Sequence, residues 1–333
     1  MQQMAESREW REFRGDRIWQ SLVRVRLSYV LLGATLIYCS YFFRSLRWRA
    51  FLAPMKAASL GNIVVSTLIG YSAIALLGRP GELVRPLLIA RKEGVVLSSQ
   101  VGIWTLERIC DLLTMGIVMG ATLLLSAPVA STGVAGARML HYLRAGGIIL
   151  CAGGLLFAMM LIQIRRHAHI PITILFWLAK PFPERSRRIL QSTGAKWIES
   201  FAAGLASIQG VNGWGLCAVL SLLVWIPVFL NFGLVIRAFG GPMANLGPEA
   251  IVLVVAVTAI GSLIQIPGVG GGFQIAVVLA LTQLFGIPLE TASMAGMLLW
   301  VVGFLIVLIP GLPLAAREGL TWRRLRYMVK AGA

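Results

Sequence analysis

Two stretches of sequence interrupt long apolar runs: GRPGELVRP at residues 78–86 and QIPGVGGGFQ at residues 265–274. Proline removes a backbone donor and glycine frees the backbone, so an apolar helix must end, kink or open at either stretch. Irregular backbone inside a bilayer is tolerated only where it is buried in protein or lines a wet cavity. If the chain spans a membrane, these two breaks are the first candidates for its functional site.

The composition indicates an integral membrane protein. Hydrophobic residues make up 58% of the 333 residues and charged residues only 13%, a balance that a soluble domain of this length rarely shows. The net charge of +17 does not indicate a nucleic-acid partner, because no nucleic-acid motif lies outside the apolar runs. Basic flanks are what membrane topology and anionic headgroups both require.

The sequence predicts no metal site, cofactor or disulfide framework. The four cysteines lie within or beside apolar runs and show no CxxC spacing. Of the three histidines, His167 and His169 are two residues apart and would diverge on a helix. The chain also lacks GxSxG, HExxH and P-loop motifs, so we predict no catalytic residue.

We predict an all-α fold, a polytopic integral membrane helical bundle of about eight spans with broken or re-entrant helices. A basic leader at residues 1–26 is either an amphipathic helix on the membrane surface or a solvated segment. Residues 27–316 form a single transmembrane domain, and a basic tail follows at 317–333. The predicted spans cover residues 27–43, 57–78, 104–126, 145–164 and 214–236, the run 250–289 that residues 267–272 divide in two, and residues 291–316.

Two features of the charge distribution bear on topology. The basic segment 165–213 shows apolar residues at helical spacing, which predicts a cytoplasmic helix packed on the bundle or lying at the interface. With both termini in the cytoplasm, most of the 30 Lys and Arg residues fall on the cytoplasmic side. Four basic residues after the first span do not fit this topology, and they mark either an interfacial turn or a misplaced crossing: Arg44, Arg47, Arg49 and Lys56.

Charged residues cluster at the first break and in the helix after it. Glu107 and Asp111 are four residues apart and share one helix face, where they repel unless a cation or a basic side chain lies between them. Arg108 can reach Asp111, and Arg79 or Arg85 could come from the break. The candidate substrate-binding residues of this half are Arg79, Glu82, Arg85, Glu107, Arg108 and Asp111.

Two interpretations of this cluster stay open. Ionisable groups at membrane depth are expensive to hold there, which favours a headgroup or ion site that includes at least one arginine. The alternative is an ion-pair lock at the cytoplasmic surface that only pins two helices together.

The second break contains no charged residue, so its backbone groups are the ones that could bind a ligand. Its freed amides and the positive end of the following half-helix could face an anionic group such as phosphate. The alternative is a hairpin of small residues that lets helices pack closely. The candidate residues of this half are Pro267, Gly268, Gly270, Gly271, Gly272 and Gln274.

These motifs resemble the flippase-like membrane domain of lysylphosphatidylglycerol synthases. The run 78–86 resembles the R-x-G-E-x-x-R signature of that family, and ERICD at residues 107–111 resembles its E-R-x-x-D signature. Residues 267–272 correspond to the proline-glycine-rich stretch of the family, and the resemblance covers about residues 27–316.

The resemblance implies a polytopic protein of the bacterial or archaeal cytoplasmic (inner) membrane that moves a lipid between leaflets. This chain has no room for the soluble aminoacyl-transfer domain, so synthase activity does not follow. Gln274 stands where many members carry an acidic residue, which leaves an arginine- and amide-rich site and favours an anionic headgroup over a cationic one.

Our leading hypothesis is a lipid translocase rather than an enzyme, whose partner is a membrane phospholipid or a polyprenyl-linked lipid. It predicts that the two breaks meet in space around one cavity. The second hypothesis is a non-transporting scaffold that holds a lipid-modifying or glycosyl-transferring enzyme through residues 165–213. The third is a membrane enzyme that acts on a lipid phosphate, with the carboxylates as acid and base.

Overall fold

The computed structural model describes residues 25–125, 169–178, 180, 183–205, 210–266 and 270–320, together with single positions between 141 and 163. Outside these residues lie residues 1–24 of the predicted leader, most of the predicted span 145–164, Pro267, Gly268 and most of the tail. The described chain is helical apart from one two-residue antiparallel ladder, in which Gln265 pairs with Gly271.

The helices and strands follow in chain order. The first half contains α1 (Leu27–Leu52), α2 (Leu60–Leu77), a 3₁₀ turn (Arg79–Leu83), α3 (Val84–Glu93), α4 (Leu97–Leu125), α5 (His169–Leu178) and α6 (Glu184–Leu205). The second half contains α7 (Gly210–Arg237), a 3₁₀ turn (Gly241–Asn245), α8 (Pro248–Gly261), β1 (Gln265–Ile266), β2 (Gly270–Gly271), α9 (Gly272–Leu279) with a π-helical extension (Ala280–Leu284), α10 (Leu289–Trp300), a π-helical segment (Val301–Leu305) and α11 (Leu308–Arg317).

The fold is the predicted polytopic helical membrane bundle. Within the described part of the chain, four helical segments are long and apolar enough to cross a bilayer by length and composition: Leu27–Leu52, Leu60–Leu77, Gly213–Arg237 and Leu289–Arg317. Two predicted boundaries are wrong. The first helix continues to Leu52 instead of ending near residue 43, and α4 begins at Leu97 instead of residue 104.

Helices α1 and α7 form the central antiparallel pair. The Ser40 hydroxyl donates to the Val224 carbonyl, 2.9 Å away, and an Arg47 Nη donates to the Ser221 hydroxyl, 3.0 Å away. At the other end of the pair the Arg26 amide donates to the Ala238 carbonyl. These contacts place the Leu27 end of α1 beside the Arg237 end of α7.

The first break is the tip of a re-entrant hairpin, which we call the first hairpin (Leu60–Glu93). Helix α3 runs back along α2, since Gly81 packs on the backbone of Ala73 and the Asn62 amide donates to Glu93 near the base. Between these contacts Gly70 lies against Arg85, where a Cβ would come within 2.6 Å of the arginine Cβ. The chain therefore returns to the end of the bundle from which it entered.

The second break is the tip of a matching second hairpin (Pro248–Leu284). The Gly272 amide donates to the Ile264 carbonyl at 3.0 Å. A Cβ on Gly261 or Gly272 would overlap the backbone of the other, so these two glycines allow the arms to touch. Gly271 adopts a φ of 97°, in the left-handed region that favours glycine.

The two hairpins enter the bundle from opposite ends. The base of the first hairpin lies at the Leu52 end, where Lys56 donates to the Glu93 carbonyl and Lys92 pairs with Glu318 after α11. The base of the second hairpin follows α7 at the Leu27 end. The order helix, hairpin, helix thus occurs twice with opposite orientation, first as α1, the first hairpin and α4, then as α7, the second hairpin and α10–α11.

The basic segment predicted at residues 165–213 contains α5 and α6 in its described part. Helix α6 packs on the first turns of α4, where a Cβ on Gly102 or Gly204 would overlap the facing backbone. Within α6 the rings of Trp197 and Phe201 stack with centroids 5.4 Å apart. This is the helix packed on the bundle that the apolar spacing predicts.

Candidate functional site

A cavity of about 250 Å³ lies between the two hairpins, bounded by α1, α4, α7 and the π-helical segment. Its walls include aromatic residues from several elements, among them Tyr41, Tyr71, Trp225, Phe273 and Phe304. Among the residues that the structure describes, four arginines and two glutamates line it: Arg44, Arg79, Arg85, Arg108, Glu82 and Glu107.

Arg47 connects the two carboxylates of α4 behind the cavity wall. One Nη of Arg47 lies 3.1 Å from a Glu107 oxygen and 2.8 Å from an Asp111 oxygen, while the other donates to Ser221. The Arg47 side chain is 0% exposed. Helical spacing puts the two acids on one face of α4, and Arg47 offsets their repulsion.

Arg44 and Arg85 complete the buried ion pairs on the cavity side. Arg44 lies 3.1 Å from Asp111, and Arg85 lies 2.9 Å from Glu107 and also donates to the Arg44 carbonyl. The Arg85 guanidinium lies 4.3 Å from the centroid of the Trp48 ring, a cation–π contact. These contacts fix the first hairpin to α1 and α4.

Arg108 is the most accessible arginine of this group. Its side chain is 36% exposed, and it lies 3.1 Å from Asp111 and 3.5 Å from Glu107. The i, i+3 pair with Asp111 is the one that the sequence predicts. Arg108 lines the cavity, whereas Arg47 and Asp111 lie behind its wall.

These residues form a group that we call the arginine cluster: Arg44, Arg47, Arg85, Arg108, Glu107 and Asp111. Four guanidinium groups face two carboxylates, so the cluster carries two more positive than negative charges. Among the described residues, the buried Nε–H groups of Arg47, Arg85 and Arg108 have no hydrogen-bond partner. The cluster therefore has positive charge and donors in excess of its own carboxylates.

The tips of the two hairpins meet at the cavity. An Arg79 Nη donates to the Ser262 carbonyl at 2.7 Å, and another Nη lies 2.6 Å from Glu82. Arg79 thus does not join the Glu107 network but links the first hairpin to the second. The predicted meeting of the two broken stretches is confirmed.

In the described part of the glycine-rich break, the amides of Gly271 and Gly272 have partners within the hairpin tip. The Gly271 amide donates to the Gln274 side-chain oxygen at 2.7 Å, and the Gly272 amide donates to Ile264. The prediction that freed amides face an anion is wrong for these two groups, because the tip uses them internally. Gly270 pairs in the ladder, and among the described residues of this stretch Phe273 lines the cavity.

Sequence reasoning missed three polar residues of the site. Arg44 and Arg47 were expected to mark an interfacial turn or a misplaced crossing and were not placed in the site, although their i, i+3 spacing beside an apolar helix is a signal of a buried pair. Asn231 on α7 also lines the cavity and is fully buried. A single amide inside an apolar span is itself a signal of a functional position.

Comparisons with known proteins support the family prediction. Neither the curated proteins nor the solved structures gave a significant match to the chain. A family model described as the lysylphosphatidylglycerol synthase TM region matches residues 10–311, a range that includes both hairpins and the whole arginine cluster. The chain therefore belongs to the lysylphosphatidylglycerol synthase TM region family.

Proposed function

We propose that this protein is a lipid translocase that binds an anionic lipid headgroup between its two hairpins. The observation that carries the proposal is the surplus of two positive charges in the arginine cluster, beside a cavity inside an apolar bundle. Positive charge held away from water is costly unless an anion offsets it. A lipid phosphate is the anion that the surrounding bilayer offers.

The pairing of the acids favours an anionic headgroup over a cationic one. Glu107 contacts Arg47, Arg85 and Arg108, and Glu82 contacts Arg79. An ammonium group entering the cavity would meet carboxylates that already have guanidinium partners. A phosphate would instead meet Arg108 and Arg79, whose side chains are 36% and 41% exposed.

The opposed hairpins suggest how a headgroup could reach the cavity from either leaflet. Because they enter from opposite ends and touch through Arg79 and Ser262, movement of one tip would open the cavity toward one end of the bundle. Inverted repeats with substrate at broken helices are a common transporter arrangement. In this mechanism the lipid phosphate competes with the Ser262 carbonyl and Glu82 for Arg79.

The charge distribution suggests which end faces the cytoplasm. The Leu52 end carries Arg49, Lys56, Arg91 and Lys92, whereas Arg26 and Arg237 are the described cations near the Leu27 end. We assign the Leu52 end to the cytoplasm of a bacterial or archaeal cell by the positive-inside rule. On this assignment Arg26, at the Leu27 end of α1, lies on the opposite side, so the proposal departs from the sequence prediction of a cytoplasmic N-terminus. Glu318, which pairs with Lys92 at the Leu52 end, agrees with the predicted cytoplasmic C-terminus.

A leaflet-accessibility assay in proteoliposomes tests the proposal. The native chain should redistribute a labelled anionic phospholipid between leaflets, and Arg108→Gln and Arg79→Gln should each slow the rate at least tenfold. Both side chains are partly exposed, so the variants should still fold. Arg91→Gln, which changes an exposed arginine at the base of the first hairpin, is the matched control. Native rates in both cavity variants would refute the proposed site.

The scaffold hypothesis has one observation in its favour. Helices α5 and α6 present an exposed Trp177 beside Lys180 and Arg187, a combination that suits a membrane surface or a partner protein. This function predicts that a lipid-modifying enzyme copurifies with the chain and that Trp177→Ala abolishes the association. Retention of lipid in the cavity without any copurifying enzyme would count against it.

A further inference from the structure

Asn231 is a buried amide without a partner in the wall of the cavity. It lies on α7 and is 0% exposed. Both Oδ1 and Nδ2 of Asn231 lack a hydrogen-bond partner among the described residues. Buried side-chain amides normally have partners, so this one calls for an explanation by ligand or by water.

The amide lies some distance from the charged end of the cavity. Trp225, whose indole Nε1 lies 3.3 Å from Asp111, marks the charged end of α7. Asn231 follows six residues later, which places it about 9 Å farther along the helix axis at a rise of 1.5 Å per residue. Between them the cavity wall is apolar, with Val228 on α7 and Ile37 on α1.

A glycine on the facing helix α1 leaves space for the Asn231 side chain. A Cβ on Gly33 of α1 would lie 2.6 Å from the Asn231 oxygen and 3.3 Å from Val235. Any larger residue at position 33 would displace the amide. The close approach of α1 and α7 thus holds Asn231 in place without giving it a hydrogen bond.

We propose that Asn231 forms a second subsite that binds a hydroxyl group of the lipid headgroup. A hydroxyl both donates and accepts, so one hydroxyl or a neighbouring pair can satisfy the amide oxygen and the amide nitrogen together. An ammonium group can satisfy only the oxygen. The substrate class is then a lipid with a phosphate for the arginines and a neutral, hydroxyl-bearing headgroup for Asn231. This assignment rests on the proposed function.

Comparing the affinities of the protein for three lipids distinguishes hydroxyl binding at Asn231 from phosphate binding at the arginines. The protein is reconstituted in phosphatidylcholine nanodiscs doped with phosphatidylglycerol, phosphatidic acid or phosphatidylethanolamine, and the affinity for each is measured by native mass spectrometry. Asn231→Leu should weaken phosphatidylglycerol binding roughly tenfold, as expected for the loss of one or two hydrogen bonds. Phosphatidic acid, which has the phosphate but no polyol, should lose less than twofold. Phosphatidylethanolamine should bind weakly to both proteins.

Two further variants keep the test decisive. Asn231→Ala removes the same amide and replaces Asn231→Leu if the larger side chain prevents folding. Asn62→Leu is the control, because the Asn62 amide donates to Glu93 outside the cavity, and this variant should lose stability without changing lipid preference. Because the Asn231 amide makes no hydrogen bond among the described residues, Asn231→Leu removes none. The unfolding temperature of this variant should therefore be no lower than that of the native chain.

The outcomes distinguish the subsite from the proposed function. An equal loss for phosphatidylglycerol and phosphatidic acid would overturn the hydroxyl subsite, since both lipids share the phosphate and ester groups. Unchanged phosphatidylglycerol binding would overturn it as well, while phosphatidic acid binding that depends on Arg108 would leave the phosphate site standing. A lower unfolding temperature for Asn231→Leu would show a structural role for the amide and also contradict the proposal.

Discussion

Arg47 on α1 lies 2.8 Å from Asp111 on α4, and both side chains are buried, with exposed fractions of 0% and 9%. This pair joins the first transmembrane helix to the helix that follows the first hairpin. The same guanidinium also contacts Glu107, so one arginine holds both acids of the E-R-x-x-D motif. The position of the cavity wall depends on this contact.

Replacing Arg47 should therefore destabilise the whole bundle. Arg47→Met leaves two adjacent carboxylates with less positive charge in a buried site, and removing one partner of such a pair costs about 3–5 kcal/mol. Thermal unfolding in detergent should show a large decrease, whereas Arg49→Met, at an exposed position of the same helix, should unfold like the native chain. Asp111→Leu added to Arg47→Met should not recover the loss, because Arg44 and Arg108 then lose a carboxylate partner as well.

The first hairpin should be sensitive to the size of residue 70. Gly70→Val would bring a side chain into contact with the Arg85 backbone and Cβ, and overpacking of this kind costs about 1–3 kcal/mol. Gly61→Ala on the same helix is the control, since its nearest neighbour would be 3.7 Å away. Equal unfolding temperatures for the two variants would contradict the packing of α3 on α2.

The contact between the hairpin tips should be measurable by hydrogen exchange. Arg79→Gln removes the guanidinium that donates to the Ser262 carbonyl, so amides of residues 259–266 should exchange faster than in the native chain. Global stability should change little because the Arg79 side chain is 41% exposed. Glu290→Gln, at the start of α10, serves as the control. Unchanged exchange at the second tip would show that the tips do not depend on each other.

Two buried cysteines offer a direct test of how α4 packs on α7. The Sγ atoms of Cys110 and Cys217 lie 3.3 Å apart, and a small movement would bring them to the disulfide distance of about 2 Å. A membrane-permeant disulfide oxidant such as diamide should link them, with each thiol losing a proton and the diamide being reduced. Peptide mass spectrometry should detect the linked pair, and Cys110→Ser should abolish it. Absence of the link in the native chain would contradict this packing.

The sequence predicted those parts of the site that depend on local spacing. Glu107 and Asp111 share a face because they are one helical turn apart, and Arg108 reaches Asp111 for the same reason. The break was expected to bring Arg79 or Arg85 to these carboxylates, and the structure shows that Arg85 pairs with Glu107. The fold class followed from the long apolar runs and the proline and glycine breaks between them.

The sequence did not predict the partners that come from distant parts of the chain. Arg44 and Arg47 follow a 17-residue apolar run that is already long enough for a span, so the sequence left open whether they mark an interfacial turn or a misplaced crossing. Only tertiary packing reveals that α1 continues past this run. The residues around Asn231 in the sequence do not indicate how far its side chain lies from the arginines. The orientation of each hairpin depends on contacts between its arms, which composition cannot show.

If the arginine cluster and the hairpin tips hold an anionic lipid headgroup, an anionic lipid should remain bound to the protein after gentle purification. Mass spectrometry should find an anionic phospholipid enriched over its share of the host membrane in the native protein. The double variant Arg79→Gln/Arg108→Gln should lose this enrichment, while Arg91→Gln should retain it. Equal anionic lipid in all three proteins, or enrichment of a zwitterionic lipid in the native chain, would contradict the account.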